Sequence, residues 1–500
     1  MHDAVRQTLL ARVYDVAVET PLHKARKQSH LLHSDVYLKR EDLQPVHSFK
    51  LRGAYNKIAQ LTAAERANGV IAASAGNHAQ GVALSAKKLG ISALIVMPRT
   101  TPAIKIDAVR SYGAEVELAG DSYSDAADYC KQRVHETGRT YIHPFDDPLV
   151  IAGQGTIGRE ILEQLPTVTH IFIPVGGGGL IAGIAQYVKA LRPDVHIIAV
   201  EPEDSNILQA SLQAGKRVTL PHVGIFADGV AVKQMGHHTF AICRQFVDDC
   251  ITVNTDQLCA AIKAVFEETR SIVEPAGALG MAGITAYAAT HDMHHTQAVA
   301  ICSGANMTFE RLQFVAERTL LGSGKEALFA VTLAEEPGAL QRFCTQVVAG
   351  HNITQFGYRL NSRSSAQVFV GIGTHSTRDA QTFTANMHRH GYAFTDLSFE
   401  DTAKEHIRHM IGGPAPHAAH EYFYQVNFPE RPGALQDFLS AIDGRWNISL
   451  FHYRGQGGDV GNVLVGFEAT DSKALTRTLR QTGYDYQHVS DTASVRLFAR

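Results

Sequence analysis

The sequence predicts an α/β protein: one open domain built on a mostly parallel sheet, then two copies of a smaller βαββαβ unit. Two observations predict it. Up to about residue 320, short apolar runs alternate with longer amphipathic segments, the pattern of strands joined by crossover helices. Beyond it, a block of sequence returns at a fixed offset. Residues 337–359 and 432–454 are identical at 11 of 23 positions. An internal duplication explains that agreement and chance does not.

In the first part the expected strands are Val70–Ala73, Ala93–Val96, Glu115–Leu118, His170–Val175, His196–Val200 and Ala298–Cys302. Helical stretches lie between them, such as Ser85–Leu89 and Leu180–Leu191. In the latter, Leu180, Ile184, Tyr187, Val188 and Leu191 share one face. Ligands of such sheets gather at the carboxyl ends of the strands. The expected divisions are 1–322, 326–398 and 420–496, with Gly322–Lys325 as hinge and Ile411–His420 as linker. Each copy should run strand, turn, helix, strand, strand, helix, strand, the ferredoxin-like order. In copy one, Leu328–Leu333, Val368–Ile372 and the Gly391-Tyr392 segment are the expected strands. Gly391-Tyr392 returns as Gly483-Tyr484 at an offset of 92, so copy two should lack three residues of its last helix.

Composition narrows the class. The 500 residues are 45% hydrophobic and 19% charged, which is globular. The net charge of −3 comes without a long basic run, so no nucleic-acid partner is expected. Apolar stretches are broken well short of a membrane span. Asp3 and Arg6 interrupt the N-terminus, so no signal peptide and a cytoplasmic location are expected. The six cysteines show no metal or redox spacing and should be reduced, mostly buried thiols. No HExxH occurs, and no metal site is expected.

Four segments carry chemistry. Ser48–Ala54 (SFKLRGA) holds Lys50 among apolar neighbours; a lysine nucleophile must be desolvated to be neutral. Ser74–Gly81 (SAGNHAQG) follows a strand and opens a helix, leaving backbone N–H groups for an anion, with Asn77 adding an amide. His78 reads as a polar residue of that loop. Pro174–Leu180 (PVGGGGL) sets four glycines between strand and helix, a nest for a phosphate. No Walker lysine follows. A loose dinucleotide reading through Gly177, Gly179 and Ala182, with Glu201 as acidic partner, stays open. Cys302–Asn306 (CSGAN) ends a strand with a hydroxyl.

With Val273–Ala278 (VEPAGA), these motifs resemble, in order and spacing, the threonine ammonia-lyase (threonine dehydratase) family of fold-type II pyridoxal-phosphate enzymes. The duplicated part resembles that family's paired ACT-like regulatory subdomains. The resemblance implies deamination of L-threonine to 2-oxobutanoate and ammonia by β-elimination, the first step of isoleucine biosynthesis. It implies pyridoxal 5′-phosphate held by an imine on Lys50, with Lys50 also the base. Phe49 would pack by the ring and Asn77 contact its 3′ oxygen. Gly176, Gly177, Gly178, Gly179 and Leu180 would hold the phosphate, and Ser303 meet the pyridine nitrogen. Ser74, Gly76, Asn77 and His78 would receive the substrate carboxylate, Ser74 also assisting proton transfer. Isoleucine as inhibitor, valine as its opponent and a homotetramer complete what it implies. Near the Pro337–Leu340 and Pro432–Leu435 turns the effectors would bind. A serine racemase or serine dehydratase, and a non-catalytic amino-acid sensor, are the alternatives.

Overall fold

The computed structural model describes residues 2–334, 339–348, 351, 353–358, 365–375, 377–409, 420–429, 437–438, 441–442, 445–454 and 460–499. The chain divides into two compact units, Met1–Thr308 and Phe309–Arg500.

The first unit carries two sheets. One has six strands in the order Leu22–Lys24, Asp35–Arg40, Gln297–Cys302, His170–Pro174, His196–Pro202, Asp249–Val253. Only its first pair is antiparallel. The other sheet runs Glu115–Leu118, Ala93–Met97, Val70–Ala73, Thr140–Tyr141, all parallel. All six expected strands are present within two residues of their expected ends. Central strands such as Val70–Ala73 and Ala93–Met97 are buried along their whole length. Helices cover both faces of a parallel sheet, so such strands read as continuous apolar runs.

Two helices approach closely beside Lys50. Helix Lys50–Ala59 meets helix Pro148–Gln164 at Gly53 and Gly153, where a Cβ on Gly153 would lie 2.7 Å from Gly53 Cα. A Cβ on Gly81 would lie 3.2 Å from the Lys50 backbone. Glycines of separate motifs thus set the depth at which Lys50 sits.

The second unit holds both copies. In copy one the order is Ile353–Tyr358, Ser365–Gly373, Glu326–Ala334, Ala393–Asp396; in copy two it is Asn447–Arg454, Val460–Glu468, Glu421–Pro429, Tyr486–His488. Both sheets are antiparallel, and both show the ferredoxin-like order with the first and third strands central. Phe329 and Val331 face their own helix through Phe383 and Met387. Leu328 and Ala330, on the opposite face, share an apolar cluster with Phe423, Leu464 and Val489 of the other copy. Each copy closes with the same clamp. Leu328 N–H donates to Ser398 Oγ at 2.9 Å, and Phe423 N–H to Ser490 Oγ at 2.7 Å.

Helix Thr377–Arg389 has 13 residues and its counterpart Ser472–Gln481 has 10, so the three missing residues did leave the last helix. Three expectations need correction or lie elsewhere. Gly391-Tyr392 is not strand: Gly391 (φ +75°), like Gly483 (φ +75°), stops a helix in the left-handed region, and the strand begins at Ala393. Helix Arg311–Gly322 belongs to the second unit, so the boundary falls at 308/309 and not at 322. Its Arg318 pairs with Asp401 and Glu405, both at 2.8 Å. Linker residues 411–419, Pro337 and Gly338 of the first Pro-Gly-Ala-Leu turn, and the whole Pro432–Leu435 turn lie outside the described residues.

Candidate active site

Lys50 opens its helix directly after Phe49, and the Ser303 loop and the Pro144 segment meet it there. Phe49 N–H donates to the Ser303 carbonyl at 3.2 Å, Ser48 bridges Gly304, and Ala305 N–H donates to the His47 carbonyl at 2.9 Å. The CSGAN loop is therefore stitched along the SFKLRGA loop. Lys50 Nζ donates to the Pro144 carbonyl at 3.2 Å and lies 5.4 Å from the Phe49 ring centroid. The residue is partly exposed, yet dense surroundings push its amine down to about 8; Glu274's charge opposes the shift.

A pH dependence follows. The neutral amine is the nucleophile, and it predominates above its pKa. In cofactor-free protein, covalent capture of an aldehyde at Lys50 is expected to accelerate with pH and level off just above 8. An ordinary lysine would keep gaining toward about 10.4. Stopped-flow absorbance across pH 6.5–10.5 checks this.

Ser74 ends strand Val70–Ala73, and its Oγ accepts from Gly76 N–H at 3.2 Å. Gly76 caps helix Asn77–Leu89. Ser74, Gly76 and Asn77 are all partly exposed. His78 does not lie in the loop as expected. It sits in the helix's first turn, 3% exposed, with Nε2 2.8 Å from the Ile142 carbonyl. Burial first, and the Lys50 charge second, push its imidazole down to about 3, so the ring is neutral and donates to that carbonyl. Its ring is committed to the fold; only its backbone serves the loop.

The glycine loop joins strand His170–Pro174 to helix Gly179–Leu191. None of its four positions accepts a side chain. A Cβ on Gly177 would lie 2.2 Å from the Phe145 ring, on Gly176 2.9 Å from Val230 Cα, and on Gly179 2.9 Å from Phe145 Cβ. Gly178 stands at φ +92° against Met235 and Thr239. Thr239 Oγ1 donates to the Gly177 carbonyl at 2.7 Å. Among the described residues, the amides of Gly177, Gly178, Gly179 and Leu180 donate to no protein acceptor, although all four residues are buried. Buried donors at a helix start call for an anion, and a phosphate monoester fits them. The dinucleotide reading fails at Glu201. Its carboxylate accepts from Leu208 N–H at 2.8 Å and Gln209 N–H at 2.9 Å, capping a helix inside the protein.

Ser303 is 4% exposed, and its hydroxyl donates to the Ala276 carbonyl at 3.1 Å. Two residues beyond the expected set join the site. Asn77 Nδ2 donates to Glu274 Oε1 at 2.6 Å, and Asn306 Nδ2 donates to Asn77 Oδ1 at 2.6 Å. Both lay inside quoted motifs, VEPAGA and CSGAN; a buried acid before the Pro275 helix start was the legible signal. Arg52, inside SFKLRGA, faces away from ligand chemistry. It is fully buried and pairs with Glu41 at 2.8 Å and Glu160 at 2.5 Å, with Lys39 on Glu160 at 2.6 Å. Among the described residues no His, Cys, Asp and Glu cluster could hold a metal.

A lysine amine, an anion cradle and small polar groups at the strand ends define a pyridoxal-phosphate scaffold. Residues 13–304 match the model of the pyridoxal-phosphate dependent enzymes, and residues 317–407 and 413–499 each match the C-terminal regulatory domain of threonine dehydratase. The chain is 52% identical over 503 residues to L-threonine dehydratase biosynthetic IlvA of Burkholderia multivorans, covering 99% of each. The processed form of threonine deaminase isoform 2 from Solanum lycopersicum superposes with a TM-score of 0.63 at 49% identity, over 64% of this chain and 88% of that one. Maize serine racemase gives 0.59 at 34%, over 64% and 97%. The chain belongs to the biosynthetic threonine dehydratase family of pyridoxal-phosphate dependent enzymes.

Proposed function

We propose that this chain deaminates L-threonine to 2-oxobutanoate and ammonia by β-elimination, as the first step of isoleucine biosynthesis, and that its second unit tunes that activity by binding isoleucine or valine. The observation that carries the reading is the end-to-end likeness to the Burkholderia multivorans dehydratase, regulatory half included. Both halves of the second unit match the regulatory domain of threonine dehydratase, which disfavours a racemase.

Bound pyridoxal phosphate supplies the electron sink that acidifies the substrate's Cα–H. The chain's residues do the rest. Lys50 would hold the cofactor through its amine, and its free amine would take the Cα proton; an amine with a pKa near 8 is matched to that work at neutral pH. The amides of Gly177 to Leu180 bind the phosphate, with Gly176 shaping the turn before them. Phe49 walls the ring, and Asn77 offers an amide hydrogen to the ring's 3′ oxygen. Ser303 would meet the pyridine nitrogen with a neutral hydroxyl, turning its one hydrogen from the Ala276 carbonyl, and would leave that nitrogen less basic than a carboxylate would. Ser74, Gly76, Asn77 and the backbone of His78 receive the substrate carboxylate at the helix start, and Ser74 stands ready to relay a proton.

A non-catalytic sensor has no use for a desolvated lysine among unpaired amides. A homotetrameric assembly and a cytoplasmic location belong to the same reading. Among the described residues no helix is long and apolar enough to cross a membrane.

Assay of 2-oxobutanoate from threonine and from serine, with and without isoleucine and valine, tests the reading. Threonine turnover is expected, inhibited by isoleucine, with valine opposing the inhibition. Coupling of this kind typically changes affinity 5–150-fold. Racemisation of serine without release of a 2-oxo acid from threonine would overturn it.

A further inference from the structure

Glu274 is 4% exposed and stands just before helix Pro275–Ala288. The dehydratase reading gives it no task. Its backbone N–H donates to the Gly304 carbonyl at 3.1 Å, and Oε1 accepts from Asn77 Nδ2 at 2.6 Å. Gly304 leaves room for this: a Cβ there would lie 2.6 Å from Glu274 Oε1.

Asn77 is held from its other end too. Asn306 Nδ2 donates both to the Val46 carbonyl at 2.8 Å and to Asn77 Oδ1 at 2.6 Å. A carbonyl only accepts, so the Asn306 amide must turn its nitrogen toward Val46. That nitrogen's second hydrogen then requires an oxygen on Asn77. A carboxylate also only accepts, so Asn77 must turn its nitrogen toward Glu274. The carboxamide is thus fixed against a flip by acceptors at both ends of a short relay. One Asn77 N–H is left over, and Asn77 is partly exposed to the cleft.

We propose that Glu274 is a positioning residue: through the relay from Asn306 to Asn77 to Glu274 it locks the Asn77 carboxamide in the one orientation that presents a hydrogen to the cofactor's phenolic oxygen. This rests on the assignment of pyridoxal phosphate to the Lys50 cleft. Without Glu274, only the Asn306 hydrogen bond opposes a flip that would turn the Asn77 oxygen toward the ring, where two acceptors would repel.

The test titrates pyridoxal phosphate into cofactor-free full-length protein and follows the visible band of the bound cofactor, its pH dependence and the dissociation constant. Glu274→Ala is expected to weaken binding about 10-fold or more, the loss of a charge-assisted hydrogen bond, and to shift the band's pH midpoint. Glu274→Gln retains an acceptor oxygen and should recover most of the binding. Asn306→Ala attacks the relay from its partly buried far end and should shift the band in the same direction, which keeps the test open if Glu274→Ala fails to fold. A band and a dissociation constant unchanged in a folded Glu274→Ala or Asn306→Ala protein would overturn the proposal. Wild-type protein with no visible band at all would instead overturn the cofactor assignment beneath it.

Discussion

Lys50→Ala is expected to abolish threonine turnover, with a loss of at least roughly 10³-fold, because the covalent anchor and the base disappear together. The protein should nevertheless fold. Lys50 is partly exposed at the first position of its helix, and the one hydrogen bond of its amine goes to the Pro144 carbonyl. Neighbouring packing is set by Leu51, Ala54 and Gly53, which the substitution leaves alone. Release of 2-oxobutanoate measures the first half of this expectation and thermal unfolding the second. Turnover within tenfold of wild type would remove Lys50 from the chemistry.

Two residues further on, Arg52→Ala should do the opposite: it should damage the fold first and catalysis only as a consequence. Arg52 is fully buried and satisfies two buried carboxylates, Glu41 and Glu160, leaving Lys39 as their remaining cation. Breaking a buried ion network by removing one partner costs about 3–5 kcal/mol, because the stranded charges stay desolvated. In a unit of this size that lowers Tm on the order of 10 °C. Calorimetry on the holoenzyme and on cofactor-free protein should show similar losses. A variant that melted with wild type but had lost activity would move Arg52 from the scaffold into the site.

The contrast between these neighbours shows where sequence reading reached and where it stopped. Strands such as Val70–Ala73 and Glu115–Leu118 were legible to the residue, the first from its apolar run and the second from its place between helical segments. Strands Leu22–Lys24 and Asp35–Arg40 were not, because they carry charge. Lys39 and Arg40 are buried only by virtue of partners 121 and two residues away, Glu160 and Asp42, and hydropathy cannot see a partner. The same blindness hid the relay. Glu274 and Asn306 stood inside motifs already noticed, but a carboxylate's aim at Asn77 is a tertiary fact. His78 was misplaced because a helix start and a loop share the same small polar residues, and only the Ile142 carbonyl decides where the ring goes. The duplication was read from identical words, Pro-Gly-Ala-Leu-Gln among them. Its two sheets, with their first and third strands at the centre, match the order that such words and spacing implied.

The matching serine clamps and the apolar layer joining Leu328 and Ala330 to Phe423 and Leu464 have a further consequence. Each sheet has one face covered by its own helices and the other by its twin. Neither copy has a solvent-ready surface of its own, so neither is a module that could be lost, exchanged or expressed alone without exposing an oily face. Gene duplication here yielded a single cooperative body and not two beads on a string. Packed layers of this kind settle into discrete arrangements and resist gradual deformation. A side chain enlarged on one side of the layer must be accommodated by the other, so a substitution in either copy reaches the packing of both.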